Sequence, residues 1–201
     1  RDEDEAAIRC INPECPAQLL RNLIHFCSRD AMDIEGLGPA IIETFVNVGM
    51  INKTYDIYNL DPDKIASLEG FKQTSAKNII NSVNNSKKND LSKLIFALGI
   101  RHIGAKAGKL LADHFKNIDA IMNASVDDIL EIDGFGVVMA QSVVEFFESG
   151  SSKELIEKLK EVGVNMISTN VIKDNRFEGM TFVLTGTLPT LKRSEASSII
   201  E

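Results

Sequence analysis

For most of this chain, apolar residues recur at helical spacing rather than in alternation. Leu19, Leu20, Leu23 and Ile24 fall on one stripe of a helix that follows Pro16. Pro39 opens a second stripe, Ile41, Ile42, Phe45 and Val46, which Gly49 ends. Asp61-Pro62 pairs a capping residue with a proline at the first helical position and leads through Ile65 to Leu68. Asp90 precedes Leu91, Leu94, Ile95 and Leu98, with Gly99 as the stop. Ser125-Val126-Asp127-Asp128 is close to a capping box, and Ser151-Ser152-Lys153-Glu154 reads as a complete one that opens Leu155, Ile156 and Leu159. Almost no stretch before residue 164 alternates with period two, so the body is predicted to be mainly α. Past Gly163 the pattern changes. Phe182 to Leu184, between Glu178-Gly179 and Thr185-Gly186, reads as a buried strand opening a separate α/β unit, with residues 164–175 as a linker.

A repeat underlies the helices. Ile34-Glu35-Gly36-Leu37-Gly38, Leu68-Glu69-Gly70-Phe71-Lys72, Ile100-Arg101-His102-Ile103-Gly104 and Ile132-Asp133-Gly134-Phe135-Gly136 are short turns of one pattern. Their first slots, 36, 70, 102 and 134, are separated by 34, 32 and 32 residues, and helices are predicted after each, over 39–48, 74–84, 105–115 and 137–148. One or two such turns could be chance helix stops; four in register specify an architecture. A chain that must reverse within about four residues requires a positive φ, hence glycine in the first slot. The apolar residue between the slots (Leu37, Phe71, Ile103, Phe135) tucks under the turn, and a second glycine permits close approach of another backbone. Beyond it lie the unpaired N–H groups and positive dipole end of the next helix, which suit a phosphate. Backbone amides grip phosphates without reading bases.

Charge strengthens this reading once it is resolved along the chain. The net charge of −7 argues against nucleic acid only as a total. Residues 72–116 carry Lys72, Lys77, Lys87, Lys88, Lys93, Arg101, Lys106, Lys109 and Lys116 against Asp90 and Asp113, a local excess of +7 flanked by acidic segments. The second and third turns lie in this block and are expected to face DNA most strongly. The first, beside Asp30, Asp33 and Glu35, is expected to be mostly structural, and the fourth, beside Glu131 and Asp133, to be divided between structure and contact. Lys72 replaces the second glycine of the second turn with a side-chain ammonium, and Lys77, Arg101, Lys106 and Lys109 add cations beside the second and third turns.

In a chain of 201 residues with 44% hydrophobic content, no apolar run reaches the ~18 residues of a membrane span and no signal peptide is evident. An acidic start and a stop within the pattern Ile199-Ile200-Glu201 read as an internal fragment. Three cysteines make no disulfide framework. Cys10 and Cys15, with four residues between them in a proline-containing loop, are half of a plausible tetrahedral zinc site. His25 and Cys27 lie about 200° apart around a helix and are not expected to complete it; Cys27 is expected to be a small buried residue.

The repeated unit resembles the helix-hairpin-helix motif of DNA repair and replication proteins. The segments Cys10 to Gln18, His25 to Gly38, Phe96 to Gly104 and Phe182 to Leu188 are together similar to the C-terminal part of bacterial NAD-dependent DNA ligases. The resemblance implies a partial zinc finger over 1–17, a tandem helix-hairpin-helix domain of four hairpins over 18–163, a linker over 164–175 and a truncated α/β BRCT segment over 176–201. It further implies a segment that grips nicked double-stranded DNA through the hairpins at Gly36-Leu37-Gly38, Gly70-Phe71-Lys72, His102-Ile103-Gly104 and Gly134-Phe135-Gly136. NAD and magnesium would be used by other domains, so this segment alone is expected not to ligate. Zinc is implied for the whole protein, with the half site at Cys10 and Cys15 expected to be empty here. Thr185-Gly186 match a phosphate-binding pair found in some BRCT domains, a role not expected of a truncated one. A cytoplasmic, nucleoid-associated monomer without membrane contact completes the expectation. Two other classes fit the same turns: a non-catalytic junction- or nick-binding module, and a helical protein-interaction domain of sterile-alpha-motif type in which glycines are only helix stops.

Overall fold

Proline and small polar residues punctuate the chain at intervals short enough to keep every helix brief, and ten α-helices result among the described residues. The computed structural model describes residues 16–169 and Val183. The chain divides into two units, Arg1–Thr169 and Asn170–Glu201. In the first unit the order is α1 (Pro16–Cys27), α2 (Pro39–Asn47), a 3-10 helix (Thr54–Asn59), α3 (Pro62–Ala66), α4 (Gln73–Ser86), α5 (Leu91–Ala97), α6 (Ala105–Phe115), α7 (Ile118–Met122), α8 (Val126–Leu130), α9 (Val137–Glu148) and α10 (Gly150–Glu161). No strand is present among the described residues; Asn117 and Ile167 form an isolated antiparallel bridge. None of these helices is long and apolar enough to cross a membrane.

The helices pair as the repeat predicts. α1 packs on α2, α3 on α4, α5 on α6 and α8 on α9, giving four hairpins. The four helices predicted to follow the turns are observed at 39–47, 73–86, 105–115 and 137–148, within two residues of expectation. Each helix turns its apolar stripe inward. Leu23 and Phe26 of α1, Ile42 and Phe45 of α2, Ile79 and Val83 of α4, Leu94 and Ile95 of α5 and Leu111 of α6 join one buried core with Phe147 of α9 and Ile156 of α10. Each such side chain contributes roughly 1.5–3 kcal/mol by leaving water.

Individual contacts then tie the hairpins to one another. A Cβ at Gly36 would stand 3.0 Å from Ile79 Cγ1, so the first turn rests directly on α4. Phe45 of α2 meets Phe71 of the second turn at 5.6 Å between ring centroids. His25 of α1 lies edge-on to Phe96 of α5 at 4.8 Å, and its Nε2 is 2.7 Å from the Phe96 carbonyl oxygen. Within the third hairpin, Gly108 lets α6 close onto α5: a Cβ there would sit 3.3 Å from the Ser92 carbonyl oxygen.

Two local expectations require correction. α10 begins at Gly150 rather than after Ser151: Ser149 is its cap and accepts from the Ser152 N–H, while Ser152 itself is fully buried inside the first turn. Starting two residues earlier still turns Leu155, Ile156 and Leu159 into the core, so the stripe alone did not choose between the serines. The residues expected to open the linker at 164 belong to the helical unit instead. Residues 164–169 are bound into the helical unit: Asn165 N–H donates to the Lys87 carbonyl at 2.8 Å, Ser168 N–H to that of Lys116 at 2.8 Å, and Thr169 N–H to Asp90 Oδ2 at 2.6 Å. Cys10, Cys15 and the predicted strand at Phe182–Leu184, apart from Val183, lie outside the described residues, as do Thr185-Gly186.

Candidate nucleic-acid interface

Four copies of one turn precede the four second helices of the hairpins. In each, the apolar residue after the first slot donates its N–H to a carbonyl three residues back: Leu37 to Ile34 at 3.2 Å, Phe71 to Leu68, Ile103 to Ile100 and Phe135 to Ile132, each at 3.1 Å. The third residue of every turn has positive φ: Gly36 +87°, Gly70 +85°, His102 +63° and Gly134 +88°. Positive φ at this position and not at the one before it is the type II pattern, which glycine satisfies without strain. The sequence requirement for glycine in the first slot is thus met three times, and at 102 histidine takes the left-handed conformation instead.

The second slot behaves differently. Gly38, Gly104 and Gly136 have φ of −74°, −89° and −104° with ψ near 180°, an extended backbone open to any residue. A Cβ at any of the three would meet nothing within 4 Å. Neither conformation nor internal packing calls for glycine there. Lys72, at the same slot of the second turn, is likewise extended (φ −122°), and its side chain is exposed.

Gly38, Lys72, Gly104 and Gly136 are the N-cap residues of α2, α4, α6 and α9, and none provides a side-chain cap to its helix. The first-turn amides of Ala40, Gln73, Thr74, Ala105, Lys106, Val137 and Val138 therefore have no acceptor among the described residues. Sequence reasoning expected unpaired amides at these helix starts but, Lys106 apart, did not name the residues that carry them, among them Val137 and Val138, which are 53% and 60% exposed. The available signal was their place directly after the second slot of each turn.

The candidate residues divide by location. Gly36, Gly38, Gly70, Lys72, Lys77, Arg101, His102, Gly104, Lys106, Gly134 and Gly136 are exposed, and Lys109 is half-buried. Leu37, Ile103 and Phe135 are buried, and Phe71 is half-buried against Phe45. The side chains of these four pin their turns and their amides close them. Among the described residues, Lys72, Lys77, Lys106 and Lys109 form no ion pair, whereas Lys160 of α10 pairs with Asp119 at 2.6 Å and Glu157 at 2.9 Å. The ammonium groups of these four lysines therefore have no counter-ion among the described residues.

His25 and Cys27 are occupied structurally. His25 packs on Phe96 as described, and Cys27 is buried, its thiol pushed up to about 12 by burial. No group of three or more histidine, cysteine, aspartate or glutamate side chains suited to a metal ion occurs among the described residues.

Comparison with known proteins supplies two kinds of similarity. Residues 28–85 match a family described as a SAM-like helix-hairpin-helix tandem, and residues 93–156 match the helix-hairpin-helix motif. The first span takes in the first two turns and leaves out α1, and the second takes in the third and fourth turns. The chain is 50% identical to a DNA ligase of Acetivibrio thermocellus over 100% of its own length and 31% of the relative's. It is 48% identical to a DNA ligase of Clostridioides difficile, covering 100% of the chain and 30% of the relative, and 47% identical to one of Carboxydothermus hydrogenoformans, covering 98% and 30%. The chain therefore spans about a third of the length of the relatives it matches.

Proposed function

From a chain that is a helix-hairpin-helix segment of the DNA ligase kind, matched to those enzymes along its whole length, we infer a grip on nicked double-stranded DNA that is independent of base sequence. The observation that carries this reading is the second slot: glycines with no internal reason to be glycine, set against helix starts whose amides have no acceptor. A phosphodiester oxygen fills both needs. It comes close only where no Cβ intervenes, and it accepts hydrogen bonds from amides at the positive end of a helix. Lys72 serves the second hairpin with an ammonium in place of close approach, and Lys77, Lys106 and Lys109 add counter-charge around the second and third hairpins.

The chemistry of the whole protein is proposed from the similarity: joining of nicks by an NAD-dependent ligase acting in replication and repair, in the cytoplasm, with magnesium. NAD would supply the adenylate that activates the 5′ phosphate of the nick. This segment's own residues hold and orient the duplex, and alone it would not ligate. Cys10 and Cys15 would supply two of four zinc ligands in the whole protein.

Titration of a nicked duplex at several salt concentrations tests the grip. With ~4–8 phosphates engaged, log K falls against log salt with a slope of about −4 to −7. Absence of binding at low salt would leave the helical interaction domain as the better reading, which the SAM-like description of residues 28–85 keeps in view. Equal affinity for nicked and intact duplex would retain the backbone grip and remove nick preference. Stronger binding to a branched junction than to a nick would favour the non-catalytic junction module.

A further inference from the structure

At three of the four equivalent turn positions the residue with positive φ is glycine; at the third hairpin it is His102. A side chain in the left-handed region is disfavoured, although histidine tolerates it better than most residues do. Such a cost is ordinarily offset by contacts inside the fold. Here it is not, because the His102 side chain is exposed and makes no hydrogen bond, ion pair or ring contact among the described residues. Like His102, whose turn is closed by the Ile103 N–H on the Ile100 carbonyl, the other non-glycine residues with positive φ lie in hydrogen-bonded turns. Lys116 ends α6 in a left-handed cap, its N–H on the Ala112 carbonyl, and Asp33 sits in a hydrogen-bonded reversal, its N–H on that of Ser28.

What surrounds His102 indicates the chemistry of its partner. It stands two residues before the open second-slot Gly104, with Lys106 and Lys109 following on α6. The amides of Ala105 and Lys106 have no acceptor among the described residues. An imidazole N–H in that setting suits an anionic oxygen. We propose that His102 is a DNA-contacting side chain that hydrogen-bonds a phosphodiester oxygen, giving the third hairpin a contact that glycine denies the other three. This rests on the DNA-binding reading above and deepens it: the third hairpin becomes the anchor of the grip, held by side chain and backbone together.

The test compares the wild-type chain with His102→Gly, His102→Ala and His102→Asn, by thermal melting and by titration of a nicked duplex at fixed salt. Glycine relieves the backbone, so His102→Gly keeps or raises Tm while affinity falls about tenfold, the loss expected for one hydrogen bond to a charged acceptor. His102→Ala loses the same affinity and also melts lower, because alanine bears the left-handed conformation less well. Asparagine, which tolerates that conformation and carries N–H donors, recovers part of the affinity. Wild-type affinity in His102→Gly would overturn the proposal while leaving the DNA-binding reading intact. A Tm several degrees lower in His102→Gly would overturn it too, by showing an internal role for the side chain. Failure of the wild-type chain to bind at all would defeat the reading on which the proposal rests.

Discussion

Helix starts in this molecule come in two kinds. α3, α5, α7, α8 and α10 are each capped by a side chain, with Asp61, Asp90, Asn117, Ser125 and Ser149 accepting from first-turn amides. The hairpins' second helices, α2, α4, α6 and α9, have Gly38, Lys72, Gly104 and Gly136 in the same place and no side-chain cap. A side-chain cap is worth about 1 kcal/mol, so its absence from all four second helices is a forgone stabilisation. The difference teaches where the molecule looks inward and where outward. Capped starts satisfy their own amides and serve the fold; uncapped starts leave donors for something else to satisfy.

The sharpest way to break the contrast is to convert one kind into the other. Gly104→Asp would cap α6, holding or slightly raising thermal stability by a few tenths of a kcal/mol. It would also place a carboxylate where a phosphate oxygen is proposed to lie. Affinity for a nicked duplex is expected to fall about a hundredfold or more, since like charges brought together cost several kcal/mol. Unchanged affinity, with the variant folded, would show that α6 does not face DNA.

Gly104→Val blocks close approach without adding charge. Nothing lies within 4 Å of the new Cβ, so stability changes by about 1 kcal/mol or less, and affinity drops roughly tenfold to a hundredfold. Lys106→Ala is expected to weaken binding several-fold and to make the salt slope shallower by about 1, which titration at three or four salt concentrations would read. Lys87→Ala should cost less than Gly104→Val, about twofold, because Lys87 leans over the Tyr58 ring at 5.7 Å. Equal losses at 104 and 87 would mean that diffuse charge, not backbone approach, dominates.

Asp90→Ala tests the inward kind and should barely move DNA affinity. Its Oδ1 caps α5 through the Ser92 N–H at 2.9 Å, and its Oδ2 accepts from Thr169 N–H at 2.6 Å and Oγ1 at 3.0 Å. Loss of the cap should lower stability by about 1–2 kcal/mol, measured by denaturant unfolding. Burial alone would raise the Asp90 pKa, but the hydrogen bonds from Ser92 and Thr169 outweigh it and hold the carboxyl below its usual range. A folded-state pKa below the unfolded value of about 3.9 contributes stability that is present above that pH and lost as pH falls through the folded value. The gap between wild type and Asp90→Ala should therefore close in acid, below about pH 4.

Much of the fold was legible because short-range physics writes it. Asp61-Pro62, Asp90 and Ser125 act through neighbours within three residues, and each caps the helix predicted for it. Positive φ at Gly36, Gly70 and Gly134 follows from a reversal confined to four residues. Ser149 was missed as a cap because Ser149, Ser151 and Ser152 offer equivalent local chemistry; burial of Ser152 decided among them. The binding of residues 164–169 to Lys87, Asp90 and Lys116 was invisible for a similar reason, since those partners are remote in the chain and no periodicity encodes them.

The candidate site divides along the same line. Repeat spacing and the basic run from Lys72 to Lys116 are properties of the string of residues; the first determined the four hairpins, and the second carries the expectation of an anionic partner. Tertiary structure decided which glycines serve the interior and which do not. Gly36 must be small because Ile79 of another hairpin lies against it, and Gly108 because α5 crosses it, while Gly38, Gly104 and Gly136 face open space. A glycine looks the same in a sequence whether it yields to a neighbour inside the protein or to one outside it. Only the positions of atoms distant along the chain separate the two.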